Sequence, residues 1–170
     1  MNRLSSTLTA NTLTEDLILP KTNEDFHRGE NAVLTILSTQ TADGETDRSE
    51  LNTTASYQYA ADETKIIYTE LDEAGNENGE TIITVLKNDL VTIQKTGFAE
   101  AVMILERGKT HPVKYSTMLG TMEMLLCALE IHAELGKNGG RLLMRYLIDI
   151  GESYTAQNTI DLRISLRSRR

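Results

Sequence analysis

From residue 31 onward the chain is interrupted about every ten residues by a turn signal, and this spacing constrains the fold more than any other feature of the sequence. The breaks fall at Asp43-Gly44, Ala61-Asp62, 75–79, Asn88-Asp89, Gly97, Gly108, Gly120, 136–140 and Gly151. Gly and Asn supply the positive φ that tight hairpins require. Intervals this short leave little room for crossover helices, which disfavours a parallel α/β sheet and points to an antiparallel sandwich or barrel.

Alternation supports the same reading. Ile160, Leu162, Ile164 and Leu166 alternate with Thr159, Asp161, Arg163, Ser165 and Arg167, giving one apolar and one wet face. Leu51, Thr53, Ala55, Tyr57 and Tyr59 alternate in the same way with Asn52, Thr54, Ser56 and Gln58. Further strands are expected at 32–40, 64–71, 80–87, 89–95, 99–106, 111–118 and 141–150, the last with Leu142, Met144, Tyr146, Ile148 and Ile150 on its drier face. Segment 121–135 (TMEMLLCALEIHAEL) resists this pattern. It is rich in strong helix formers, Gly136 suits a helix C-terminus, and Met122, Leu125, Leu126, Leu129 and Ala133 would share one helical face.

Residues 1–29 read as a separate extension. They are rich in Ser, Thr and Asn, with one apolar run, Leu17-Ile18-Leu19, which Pro20 stops. A short helix over 14–19 is one option for it. The domain proper is expected over 30–167, followed by a basic tail at 168–170. A chain of 170 residues forms one domain with a core large enough to need no disulfide. Trp is absent and aromatics are few, so that core is aliphatic.

The net charge of −8 argues against general nucleic-acid binding. Residues 41–80 carry eleven acidic groups against Arg48 and Lys65, whereas Arg163, Arg167, Arg169 and Arg170 close the chain with no acid among them. Such a tail is first a solvated strand face and second a contact for phosphate or an acidic partner. The single cysteine, Cys127, fits a reducing compartment, and no apolar run is long enough for a signal peptide or a membrane helix, so the expected location is the cytoplasm.

The residues that carry chemistry elsewhere lack the necessary spacing here. Gly108-Lys109-Thr110 echoes the end of a phosphate-binding loop, but Met103 stands where the loop needs its first glycine, so a hairpin turn is the better reading. His27, His111 and His132 are scattered, and Cys127 lies in an apolar run as a small hydrophobe would. No metal, cofactor or catalytic residue is therefore assigned, and the pairs Asp62-Glu63 and Asp72-Glu73 are read as loop acids that keep the surface soluble. Tyr57, Tyr59 and Tyr146 stand out because they fall on faces expected to point inward, where a phenol needs a polar partner.

Between 97 and 124 the pattern becomes specific. Gly97 opens a strand containing Met103, Gly108 makes the turn, and Tyr115-Ser116-Thr117-Met118-Leu119-Gly120 leads into Met122-Glu123-Met124. This resembles the uncharacterised YwiB-like family of Gram-positive bacteria, whose members look like calycin-type β-barrels. Family members often carry Thr-Pro-aromatic-Gly where this chain has Thr117-Met118-Leu119-Gly120, and the short members lack the extension before residue 30. The resemblance implies an all-β, antiparallel calycin- or lipocalin-like barrel of eight to ten strands, with 121–135 as strand rather than helix. It brings no catalytic residue with it.

Two functions follow as expectations. In one, a non-catalytic barrel holds a small apolar ligand whose polar end is oriented by Tyr57, Tyr59 or Tyr146. In the other, the interior is packed and the acidic or basic surface engages a protein. Strands 80–87 and 99–106 are apolar on both faces, so something covers the outer one: a second copy in a homodimer, or the extension with Leu13, Leu17, Ile18 and Leu19.

Overall fold

The structure, a computed structural model, describes residues 29–87, 89–152 and 154–167. The expected helix at 14–19, most of the extension and the tail at 168–170 lie outside the described residues. Ten strands follow one another without an intervening helix: β1 (Ala32–Ala42), β2 (Glu45–Tyr59), β3 (Glu63–Leu71), β4 (Glu77–Leu86), β5 (Leu90–Gly97), β6 (Ala99–Glu106), β7 (Thr110–Thr117), β8 (Gly120–Gly136), β9 (Gly139–Ile150) and β10 (Tyr154–Leu166). Each pairs antiparallel with its sequence neighbour. β1 also pairs with β10, from Ala32 opposite Leu166 to Thr41 opposite Gln157, which closes the barrel. Turn spacing left an antiparallel sandwich or barrel, and the all-β antiparallel barrel implied by the resemblance is the fold observed.

The expected turns form at the expected places, with Gly44, Gly75, Gly97, Gly108, Gly120 and Gly151 all at positive φ. At Gly140, φ is +148° and an added Cβ would stand 1.9 Å from the Glu134 carbonyl oxygen, so backbone approach requires glycine there. Two strands begin earlier than alternation indicated. β2 starts at Glu45 and β10 at Tyr154, because pairing with β1 and β9 carries both strands through polar stretches that have no apolar face of their own.

Segment 120–136 is a single long strand, β8, paired with both β7 and β9. An irregularity between Ala128 and Glu130 shifts the register, so the inward set changes from Leu126 and Ala128 to Ile131. Three of the residues that a helix would have gathered on its buried face, Met122, Leu125 and Leu129, remain 41, 46 and 40% exposed. Local helix propensity yields here to pairing on both edges.

The inner surface is graded. Where β1 begins (the base), inward positions hold Ala32, Leu34, Val85, Val91, Leu105, Val113, Ile131, Leu142 and Ile164, all buried. Where β1 ends (the mouth), inward positions turn polar, with Gln40, Glu70, Lys95 and Asn158. Two seams in the barrel are short. β2 meets β3 only over Ser56–Tyr59, near the base, and β6 meets β7 only over Ala99–Ala101, near the mouth. Pro112, which has no N–H to donate, sits in the part of β7 that has left β6. Between the seams run two continuous sheets, β3 to β6 and β7 to β2 through the β10–β1 pairing.

Candidate functional site

The polar mouth is where inward side chains depart from hydrocarbon. β3 presents Tyr68 and then Glu70, β4 presents Thr81, and β5 presents Lys95. Thr81 Oγ1 donates to Glu70 Oε1 at 2.6 Å, and Lys95 Nζ donates to the same oxygen while lying 3.4 Å from Thr81 Oγ1. Burial by itself would raise the Glu70 pKa. Hydrogen bonds from Lys95 and Thr81, with the Lys95 charge, outweigh it and hold the carboxyl below its ordinary value. The carboxylate and ammonium thus satisfy each other inside the rim.

Tyr146, from β9, lies near Tyr68. Its phenol is pushed up to about 12 by burial first and by Tyr68 second. Tyr68 is likewise raised to about 12 by burial, with a Thr81 hydrogen bond pulling down and Glu70 pushing up. On its other side Tyr146 borders a cleft of about 250 Å³ whose walls include Ser38, Gln40, Asp47, Ser49 and Asn158. The Asn158 amide nitrogen is buried there without a hydrogen-bond partner among the described residues. A wider depression of about 830 Å³ lies on the rim against Phe98 and Met118, but it is shallow and open.

The three tyrosines singled out in the sequence do not converge. Tyr57 points inward at the base, where its hydroxyl donates to the Gly136 carbonyl at 2.8 Å. Its pKa is also raised to about 12, by burial, then by Tyr59, against the lowering effect of that hydrogen bond. Tyr59 ends β2 at the same end and is 40% exposed. Only Tyr146 reaches the mouth. Sequence reasoning missed Tyr68, Glu70, Thr81, Lys95 and Asn158. The available signal was a polar residue on an inward register, but this becomes visible only once each strand's inward parity is known.

The remaining candidates are local structure. Gly108 turns the β6–β7 hairpin, as expected. Asp72 Oδ1 accepts the backbone N–H groups of Ala74 and Asn76, both at 2.9 Å, so it builds the β3–β4 turn. Cys127 is half-buried on the outward register of β8. His111 bonds Glu106 at 3.3 Å and His132 bonds Glu134 at 3.0 Å, while His27 lies outside the described residues. No group of three or more His, Cys, Asp or Glu is placed to hold a metal among the described residues. Nor does any described helix have the length and apolarity to cross a membrane.

The comparisons agree with this architecture. The crystal structure of the ywiB protein from Bacillus subtilis superposes with a TM-score of 0.69 at 21% identity, covering 82% of this chain and 93% of that one, which is a likeness of fold. No curated protein matches the chain. The profile of the family described as Domain of unknown function (DUF1934) matches residues 34–162, from the inward Leu34 of β1 to the inward Leu162 of β10, and the chain belongs to that family.

Proposed function

We propose that this protein is a cytoplasmic, non-catalytic binding barrel that receives a small ligand at its mouth, with Tyr146 and Asn158 orienting the ligand's polar end. The observation that carries this reading is the Asn158 amide, buried beside Tyr146 without a partner among the described residues. A buried donor left unpaired costs about 1–3 kcal/mol, and a ligand acceptor in the cleft removes that cost. The apolar part of the ligand rests on the Tyr146 ring and Ile160. The filled base limits its size: Leu34, Leu105, Leu142 and Leu162 are fully buried there, so the ligand occupies the 250 Å³ cleft and does not run the length of the barrel.

Titration of the isotope-labelled protein with a library of small amphipathic compounds tests this reading. Binders are expected to shift the Tyr146 and Asn158 resonances together. Asn158→Leu is expected to weaken them at least tenfold, about 1.4 kcal/mol. Binders that shift other regions, or that bind Asn158→Leu equally well, overturn the proposal.

One observation favours the alternative of an interaction module. Among the described residues, β2 before Ser56 pairs with β1 alone, and its acidic first half, including Glu45, Asp47 and Glu50, is exposed along an edge that no other described strand covers. Such an edge is a template for an added strand. On that reading the titration leaves the mouth unmoved, and a partner protects the β2 amides instead.

A further inference from the structure

On most of the barrel, outward apolar side chains are partly wet: Val33 is 44% exposed, Leu37 41% and Leu125 46%. On β3 to β6 the same outward register is dry. Ile67, Ile82, Thr84, Thr92 and Ile104 alternate with core residues, so they point away from the interior, yet they are only 0–8% exposed. They form one patch. Ile67 stands opposite Ile82, Thr84 opposite Thr92, and Thr92 opposite Ile104. Thr84 Oγ1, Thr92 Oγ1 and the adjacent Gln94 Oε1 are sealed from water without a partner among the described residues. No strand among the described residues lies over this face.

The chain itself leads to the patch. Asn31 is locked to β2, its side chain donating to the Tyr57 carbonyl at 2.9 Å and accepting the Tyr57 N–H at 2.7 Å. Immediately before it, Gly29 and Glu30 border a small hollow with Ser56, Ile67, Thr69 and Glu80, so the polypeptide enters at the β2–β3 edge of the dry face. From Ile67 to Ile104 is three strand spacings, about 14 Å, which five extended residues cover at about 3.3 Å each. Twenty-eight residues precede Gly29, and among them Leu13, Leu17, Ile18 and Leu19 stand among Ser, Thr and Asn. This composition supplies hydrocarbon for the isoleucines and hydroxyl or amide groups for the sealed Thr84, Thr92 and Gln94 atoms.

We propose that residues 1–28 of the same chain lie across the outer face of β3–β6, seating their apolar side chains on Ile67, Ile82 and Ile104. The test uses the full chain with methyl-labelled Ile and Leu. Nuclear Overhauser contacts are expected from the Ile67, Ile82 and Ile104 methyls to methyls of residues 1–28. In a mixture of labelled and unlabelled copies, filtering for contacts between molecules is expected to remove them. Contacts that survive the filter assign the cover to a second copy and overturn the proposal, as does the absence of any contact with residues 1–28. As a second measurement, Leu17→Asp/Ile18→Asp/Leu19→Asp is expected to keep the barrel's strand spectrum while raising the fluorescence of an apolar-surface dye several-fold. Unchanged dye binding in a folded variant also counts against it.

Discussion

Three phenols, Tyr57, Tyr68 and Tyr146, are held at about 12 against an ordinary 10.0, each by burial first. The consequence for stability has a definite sign. Below pH 10 folded and unfolded chains both carry these phenols neutral, and their contribution is constant. Between about pH 10 and 12 the unfolded chain releases protons that the folded chain keeps, so stability falls as pH rises. Denaturant midpoints measured across that range are expected to drop steadily, and Tyr146→Phe to drop less steeply than the wild type. A flat profile would show these phenols to be solvated. How far the site can be read from sequence is decided at this same scale. Tyr146 was legible because it shares a parity with Leu142 and Met144. Glu70 and Lys95 were not, because a charged residue on an inward register looks like any other surface charge until pairing sets Tyr68 opposite Thr81 and Thr81 opposite Lys95, which brings the Glu70 carboxylate within hydrogen-bond reach of both. Asn158 was hidden for a different reason: it precedes the alternating run from which β10 was recognised.

The elements were legible where apolar side chains alternated and obscure where pairing alone defined the strand. β8 shows both. Its composition favours a helix, and only the register irregularity reconciles a strand with the burial of Leu126 and Ile131 on one face. Leu129 is the extra residue at that irregularity, left out of the pairing with β9 and 40% exposed. Leu129→Lys is therefore expected to change stability by no more than about 0.5 kcal/mol. Leu126→Lys, which places a charge in the packed interior, is expected to destabilise severely or prevent folding. Equal effects in thermal unfolding would mean that the parity of β8 is wrong. The first half of β2 poses the opposite problem, since Glu45 to Glu50 offered no apolar rhythm and are strand only because β1 runs beside them.

At the scale of the molecule, the barrel has a hydrocarbon base, a polar mouth and two short seams. The apolar base could be anticipated from an aliphatic composition, but the gradient from base to mouth could not. It depends on which end of each strand faces which rim, and that is settled only by closure. Closure also carries a consequence in time. Among the described strands, the one that completes the barrel is the last in chain order and its partner is the first, since Ala32 meets Leu166. While β2 to β9 emerge, β1 is paired with β2 alone among the described strands, so the barrel stays open along the edge that carries its inward Leu34 and Ile36. A chain leaving the ribosome can therefore zip its hairpins early but cannot shut until β10 arrives, an arrangement dominated by distant contacts that places refolding in roughly the millisecond-to-second range. If shutting follows the rate-limiting barrier, Leu162→Ala in β10 will hasten unfolding far more than it slows refolding in stopped-flow traces. A larger effect on refolding would make the meeting of β1 and β10 the barrier itself. In either case, a nascent chain stalled before β10 carries an open, sticky half-barrel, and this is the interval in which the protein is most exposed to aggregation.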